Sequence, residues 1–327
     1  MNNYCVITTI HPPTKAVEIL HNFFGWNLIV VGDKKTPEDW NYKTATYIST
    51  AYNDKYSPFN HYARKNLGYL MAMQKGATVI YDTDDDNIPN DWWQIRRLKT
   101  KITHTTKQKW CNVYQPVTSG RIWPRGFPLN MVNDEVELKE MDEEIECPIQ
   151  QGLADISPDV DAIWRLTLNR EVHFWVIKSI YLKNTWCPFN SQSTWFFKEA
   201  FPLMYLPITA SFRMTDIWRS FVAQKCLWEL DKGIAFHSPS EVYQERNYHD
   251  LMKDFVDEID GYKFNLQITE LFDKMSLRKG NEGILYNIWN LYHALVVNNY
   301  LKKEEMPAVE AWIKDYENVK RNLETTI

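Results

Sequence analysis

Apolar and polar positions along the first third of the chain alternate between two periods. The runs Tyr4 to Ile10 (YCVITTI) and Asn27 to Asp33 (NLIVVGD) are short, apolar and rich in β-branched residues, while Lys15 to Phe24 between them has helical spacing. A second helix is predicted over Pro58 to Lys75, where Ser57 can cap, Pro58 suits the first turn and Lys75-Gly76 makes a stop. Ala77 to Asp82 (ATVIYD) then reads as a third buried strand. Strands separated by helices favour a parallel sheet with right-handed crossovers, and such sheets collect ligands at the carboxyl ends of their strands. Asp33 and the run Asp82 to Asp86 stand at two such ends.

The pattern loosens in the middle. Trp92 to Trp123 is basic and aromatic, and Asp134 to Glu146 (DEVELKEMDEEIE) reads as a solvated, mobile loop or lid. Strand-like runs return at Ser193 to Phe197 and Ile234 to His237, around an amphipathic helix over Asp216 to Leu230. Beyond Tyr248 the spacing is helical throughout, with candidates at Tyr248 to Glu258, Phe264 to Met275, Gly283 to Tyr300 and Glu305 to Leu323. The reading is an α/β domain over residues 1–247 and a helical C-terminal extension over 248–327. The aromatic and aliphatic residues of the extension suit a homodimer interface, a membrane-surface helix or a structural cap.

Composition narrows the class. A chain of 327 residues can bury an extensive core. Its net charge of -5 and pI near 5.9 give no global attraction to nucleic acid. Cys5, Cys111, Cys147, Cys187 and Cys226 are scattered and form no CxxC pair, which fits a reducing compartment rather than a zinc ribbon or disulfide framework. No window approaches the ~20 apolar residues of a membrane span, and no Asn-x-Ser/Thr acceptor occurs, so the chain reads as soluble and cytoplasmic.

Tyr81 to Asn87 (YDTDDDN) sets four carboxylates within five positions directly after an apolar strand. Such crowding is repulsive unless a cation intervenes, and hard oxygen ligands suit Mg²⁺ or Mn²⁺; a plain acidic turn is the alternative. Strand alternation would turn Asp84 and Asp86 toward a diphosphate and Asp85 the other way. Asp33 could accept from a uracil or ribose and Lys34 could reach a phosphate, if they do more than make a charged turn. Arg64 and Lys65 stand where a helix dipole disfavours cations, which an anionic or carbonyl-rich partner would explain. Asp155, Asp159 and Asp161 on a loop could clamp sugar hydroxyls, with Trp164 stacking on a sugar face, or could build a capped turn around Pro158. Trp92, Trp93, Trp123, Trp186 and Trp195 are further stacking candidates or core. Asp216, between Arg213 and Arg219, could take the proton of an acceptor hydroxyl or cap a helix. His237 could complete a metal site or sit in the core.

The segments VVGDKKTP, ARKNLGYLMAMQKGATVIYDTDDDN, QGLADISPDVDA, PFNSQSTWFF and FRMTDIWRSFVAQKCLWE resemble, in order, those of the STELLO family of glycosyltransferase-like proteins. More distantly the chain is similar to the reversibly glycosylated polypeptides, or UDP-arabinopyranose mutases, whose PDYDAP-like loop corresponds to Pro158 to Ala162. The resemblance implies a GT-A fold, Rossmann-like with a mostly parallel mixed sheet, and binding of a UDP-sugar. It implies Asp84 and Asp86 as holders of Mn²⁺ or Mg²⁺, Asp33 and Lys65 at nucleotide contacts, Asp216 at the acidic catalytic position and His237 at the C-terminal metal histidine. Lys65 stands where an arginine is commoner. The function expected is transfer of a sugar to a glycan or other hydroxyl acceptor, probed against two alternatives: a nucleotide-sugar mutase and a catalytically silent scaffold.

Overall fold

The computed structural model describes residues 2–23, 25–52, 56–245 and 250–325; the domain boundary expected between 247 and 248 lies outside them. In chain order the strands are β1 (Asn3–Thr9), β2 (Trp26–Gly32), β3 (Thr46–Ile48), β4 (Val79–Asp82), β5 (Asn87–Pro89), β6 (Lys99–Thr105), β7 (Lys139–Glu146), β8 (Ile149–Ile156), β9 (Lys178–Leu182), β10 (Thr194–Phe197) and β11 (Ile234–Gln244). The helices are α1 (Lys15–His21), α2 (Asn66–Gln74), α3 (Ala162–Thr167), α4 (Thr215–Glu229), α5 (Leu251–Lys274), α6 (Ile284–Val297) and α7 (Glu305–Thr325).

All strands join one sheet in the order β3-β2-β1-β4-β10-β8-β11-β9-β6-β7, with β5 added to β11. The first four are parallel, and Cys5 of β1 stands between Leu28 and Tyr81. β10 then inserts antiparallel between β4 and β8, and β8 runs parallel to β11. This is the mixed α/β architecture of a GT-A-like fold.

The alternation of the first strands explains why both sheet faces are covered. Cys5, Ile7, Leu28 and Val30 pack with Val17 and Leu20 of α1 on one face; Val6, Ile29, Val31 and Ile80 pack with Leu67 and Ala72 of α2 on the other. Gly68 lets α2 approach closely, since a Cβ there would stand 2.5 Å from Val6 and 2.8 Å from Val31. Ile268 and Phe272 of α5, Leu291 and Leu295 of α6 and Trp312 of α7 join the same cluster as Val6 and Ile80, so the C-terminal helices complete this face. Glu305 pins the start of α7: fully buried, it accepts from the Tyr205 hydroxyl at 2.6 Å and the backbone N–H groups of Ile208 and Thr209 at 3.0 and 2.8 Å. No helix among the described residues is long and apolar enough to cross a membrane.

Three expectations about elements need correction. The helix expected from Pro58 starts later: a 3-10 turn over Tyr62–Lys65 leads into α2, and His61 rather than Ser57 caps it, its Nδ1 accepting from the Ala63 N–H at 3.1 Å. The acidic segment is largely a strand, because β7 pairs with β6 and sets Lys101 against Asp142 at 2.6 Å; charged side chains suit a sheet edge. Two expected C-terminal helices are one, α5, in which Gly261 is retained where a Cβ would meet the Met214 sulfur.

Candidate active site

β4 delivers Asp82 into the sheet, and the chain then turns through Thr83 to Asp86 before β5. Asp82 is fully buried. Lys65 lies 2.7 Å and Arg219 2.9 Å from its two oxygens. Burial alone would push the Asp82 carboxyl up, but these two cations outweigh it and hold it below the usual range. Lys65 also reaches Asp84 Oδ1 at 2.9 Å, where the Tyr62 hydroxyl donates at 2.6 Å. Burial nevertheless raises Asp84 to about 6, against the pull of Lys65 and with help from Asp86. Asp85 and Asp86 are raised as well, by burial first. Because this segment is a turn, the alternation expected of a strand does not apply: Asp85 accepts from Thr9 Oγ1 at 2.5 Å and Asp86 from Gln244 Nε2 at 2.5 Å.

Across a polar cavity of about 90 Å³ stands a second set of carboxylates. Arg125 is its hub. Its guanidinium meets Asp159 at 2.7 and 2.8 Å and Asp216 at 3.0 and 3.0 Å, two forked pairs on one buried side chain. Gly126, at φ +86°, makes the tight turn that follows and packs where a Cβ would stand 2.5 Å from Ile217. Arg213 extends the chain of contacts by reaching Glu258 of α5 at 2.8 Å. Glu258 in turn accepts from the Ala162 N–H at 2.7 Å, tying the loop before α3 to the same network. Burial would raise Asp159, but Arg125 and Arg213 hold it below the ordinary carboxylate range.

The two walls are joined by a pair of glutamines. Gln192 accepts from the Asp159 N–H at 2.9 Å and donates to Gln244 at 2.7 Å, and Gln244 donates to Asp86. Asp84, Arg125, Asp159, Arg213 and Asp216 therefore border one cavity, together with Tyr62, Arg165, Asn190, Ser191, Gln192, Phe212 and Gln244.

The other nominated residues have different surroundings. Asp33 closes its own loop by accepting from the backbone N–H groups of Lys34 at 2.6 Å and Asn60 at 2.7 Å, while Lys34 is exposed over the Phe59 ring. Arg64 is buried and donates to the carbonyls of Gly32, Ser49, Ser57 and Tyr52, so its donors serve backbone closure. Asp155 accepts from the Phe174 N–H at 2.9 Å and meets His173 at 3.2 Å, away from the cavity lining. Asp161 caps α3, accepting from the Trp164 N–H at 2.7 Å and the Trp123 indole at 2.6 Å, and burial pushes its carboxyl up to about 7. Trp164, 2 % exposed, donates its indole N–H to the Arg121 carbonyl and presents no face for stacking. Trp123, Trp186 and Trp195 are core; Trp93 stacks on Phe23, and Trp92 is exposed with its indole bonded to the Ser240 carbonyl. Arg219 positions Asp82 rather than lining the cavity. Asp216 is not a helix cap, since α4 begins at Thr215 without a side-chain cap.

His237 takes the core position that stood as the alternative to a metal role. It is buried, between Ser179 Oγ and Gln150 Oε1 at 3.0 Å each, and burial holds its imidazole well below the usual value. Along the neighbouring strand its partner Gly152 stands four positions from Ile156, the partner of Gln244, roughly 13 Å away. Among the described residues, no three His, Cys, Asp or Glu side chains converge as a metal cage. A wider groove of about 940 Å³ opens at the opposite end of β4, between Phe197 and helices α6 and α7, and includes none of the nominated residues.

Arg125, Tyr62, Gln192 and Gln244 were not nominated from sequence. Gln192 does lie in PFNSQSTWFF, one of the segments that carry the family resemblance. Arg125 is signalled only by its place between Pro124 and Gly126.

Residues 213–327 match the family of STELLO glycosyltransferases, a span that starts at the cavity rim and runs through all the C-terminal helices. Over that span the chain is similar to the STELLO glycosyltransferases. It is 25 % identical over 344 aligned residues to "Probable glycosyltransferase STELLO1" of Arabidopsis thaliana, covering 95 % of this chain and 44 % of that protein. It is 27 % identical over 268 residues to "Probable glycosyltransferase STELLO2" of the same plant, covering 72 % of this chain and 35 % of that protein. The chain spans less than half the length of these relatives.

Proposed function

We propose that this chain transfers a sugar from a nucleotide sugar, with UDP as the nucleotide, to a hydroxyl of a glycan or similar acceptor. The observation that carries the reading is that the acidic turn and the Arg125-held pair Asp159 and Asp216 face one cavity. The donor set of the turn fits a hard divalent ion: Asp84 and Asp86 offer carboxylate oxygens, and burial first, then the charge of Asp86 on Asp84 and of Asp85 on Asp86, leaves their carboxyls above the ordinary range, a condition such an ion would relieve. Mn²⁺ or Mg²⁺ bound there would offset the charge that gathers on the departing diphosphate.

The chain's own residues divide the remaining work. Asp216, oriented by the Arg125 fork, accepts the proton of the acceptor hydroxyl, which leads to inversion by direct attack. Asp159 and Arg213 offer hydrogen bonds to sugar hydroxyls. Lys65 keeps Asp82 and Asp84 together without entering the chemistry. Lys34, exposed in the loop after β2, is the proposed contact to the nucleotide phosphate, and Asp33 shapes that loop.

The test is Mn²⁺-dependent UDP release from a panel of UDP-sugars by the native chain, Asp86→Asn and Asp216→Asn. Release that needs metal, is lost in Asp86→Asn and falls about 10²–10⁴-fold in Asp216→Asn is expected. A folded native chain that neither releases UDP nor binds any UDP-sugar sinks the reading, and an isomerised sugar nucleotide formed without acceptor marks a mutase instead.

A further inference from the structure

The cavity is polar almost throughout: its border is carboxylates, guanidiniums, amides and a serine, except for two rings, Tyr62 and Phe212. Phe212 is half-exposed, and among the described residues on that border it is the one side chain with no polar atom. Its ring meets Tyr62 edge to face, with centroids 5.7 Å apart at 69°. Tyr62 is fixed in turn by its hydroxyl bond to Asp84.

Phe212 is also held rigidly from behind. Ser211 Oγ donates to the Asp257 carbonyl at 2.5 Å, Arg213 pairs with Glu258, and the Met214 side chain is buried. Both sequence neighbours are thus moored to α5, and the ring between them keeps a solvent-facing surface that no described side chain other than Tyr62 meets in a ring contact. Burying it against the protein would have been simple for a flexible loop; the anchoring keeps it at the rim.

A saccharide ring has the complementary chemistry. One of its faces presents C–H groups that pack on an aromatic ring, while its hydroxyl edge seeks carboxylates and guanidiniums such as Asp159, Arg213 and Asp216. We infer that Phe212 is a sugar-stacking platform, seating a saccharide ring between Tyr62 and Asp216, and that α5 sets its position through Asp257 and Glu258. This rests on the proposed transfer reaction and adds to it the residue that selects a ring with an apolar face. The ring is that of the donor or that of the acceptor, and the two are separated by the experiment.

The full chain is examined by saturation-transfer NMR with Mg²⁺, in one arm with UDP-glucose and UDP-galactose, in the other with UDP plus methyl glucoside, galactoside or xyloside. Phe212→Ala is expected to weaken saccharide contact roughly tenfold while uridine protons keep their saturation, and Phe212→Tyr to restore it. Phe212→Leu, which keeps apolar bulk but no flat face, should behave like Phe212→Ala and provides the comparison if the alanine variant melts early. Loss in the first arm identifies the donor ring and loss in the second the acceptor ring. Saccharide protons unchanged in both arms, with uridine still bound, overturn the platform and leave the proposed function standing. Absence of uridine saturation in the native chain overturns the nucleotide-sugar reading and the platform with it.

Discussion

The acidic turn and the Arg125 wall place carboxylates around one cavity in opposite electrostatic settings. On the turn, burial and neighbouring acids raise Asp84, Asp85 and Asp86 although each keeps partial exposure. On the opposite wall Asp159 is more deeply buried, and yet it is held low because Arg125 and Arg213 face it. Depth alone therefore does not decide the protonation of these acids; the partner does. A carboxyl raised by burial with too little counter-charge inside is poised for a cation from outside, whereas Asp159, held by internal guanidiniums, stays ionised in a fixed orientation suited to hydrogen bonding a hydroxyl.

Removing the hub should produce the largest change. Arg125→Met leaves Asp159 and Asp216 buried without their forked partner, and breaking such a pair costs about 3–5 kcal/mol, read as a lowered midpoint in urea unfolding. On the other wall the sign changes. Asp86→Asn keeps an oxygen for the Gln244 donor and removes a crowded charge, so metal-free stability should stay the same or rise by up to about 1 kcal/mol. What it should lose is the metal response: about 2.7 kcal/mol of added stability is expected in the native chain at a hundredfold excess of Mg²⁺ or Mn²⁺ over its Kd. Equal destabilisation by both variants would erase the distinction between the walls.

A smaller effect separates them by pH. Asp159 has a folded-state carboxyl below its unfolded value, so its contribution is present above the ordinary carboxylate range and is lost as pH falls through the folded value. As pH drops below about 4 the unfolded chain takes up that proton first. In Asp159→Asn the acid limb of the stability curve should therefore be shallower by up to about 1.4 kcal/mol per pH unit, measured by denaturant unfolding at stepped pH. An unchanged slope would mean that Arg125 does not govern Asp159.

The same contrast explains what could be read from the residues in order. YDTDDDN is contiguous and follows an apolar strand, so the acidic turn, the parallel strands β1, β2 and β4 and the helices between them were legible from local pattern. The Arg125 wall brings together residues 125, 159 and 216, separated in sequence by 34 and 57 positions, and no local period marks such a meeting. β6, β7, β8 and β9 were missed for a related reason. β7 reads as an acidic solvated run because its strand character comes from edge pairing with β6 rather than from apolar alternation. Asp161 and Trp164 were chemically plausible sugar ligands, but N-capping and indole burial absorb them. The GT-A-like architecture was reached through family resemblance joined to the strand pattern, not through either alone.

His237 offers the test with the smallest expected effect on the site. A histidine following an apolar strand run is a reasonable metal ligand by type, and its position is what separates it from the acidic turn: it lies on β11 well before Gln244, the residue that touches Asp86. Both its nitrogens already face Ser179 and Gln150, and burial beside Arg96 favours the neutral ring. His237→Gln should therefore cost about 1–2 kcal/mol of stability through disturbed buried hydrogen bonds, while Mn²⁺ affinity, followed by calorimetry, stays within about twofold of the native chain. If affinity fell tenfold or more without comparable loss in the fold, the acidic turn would depend on β11 for more than Gln244, and the two-wall division would have to include the strand that runs between them.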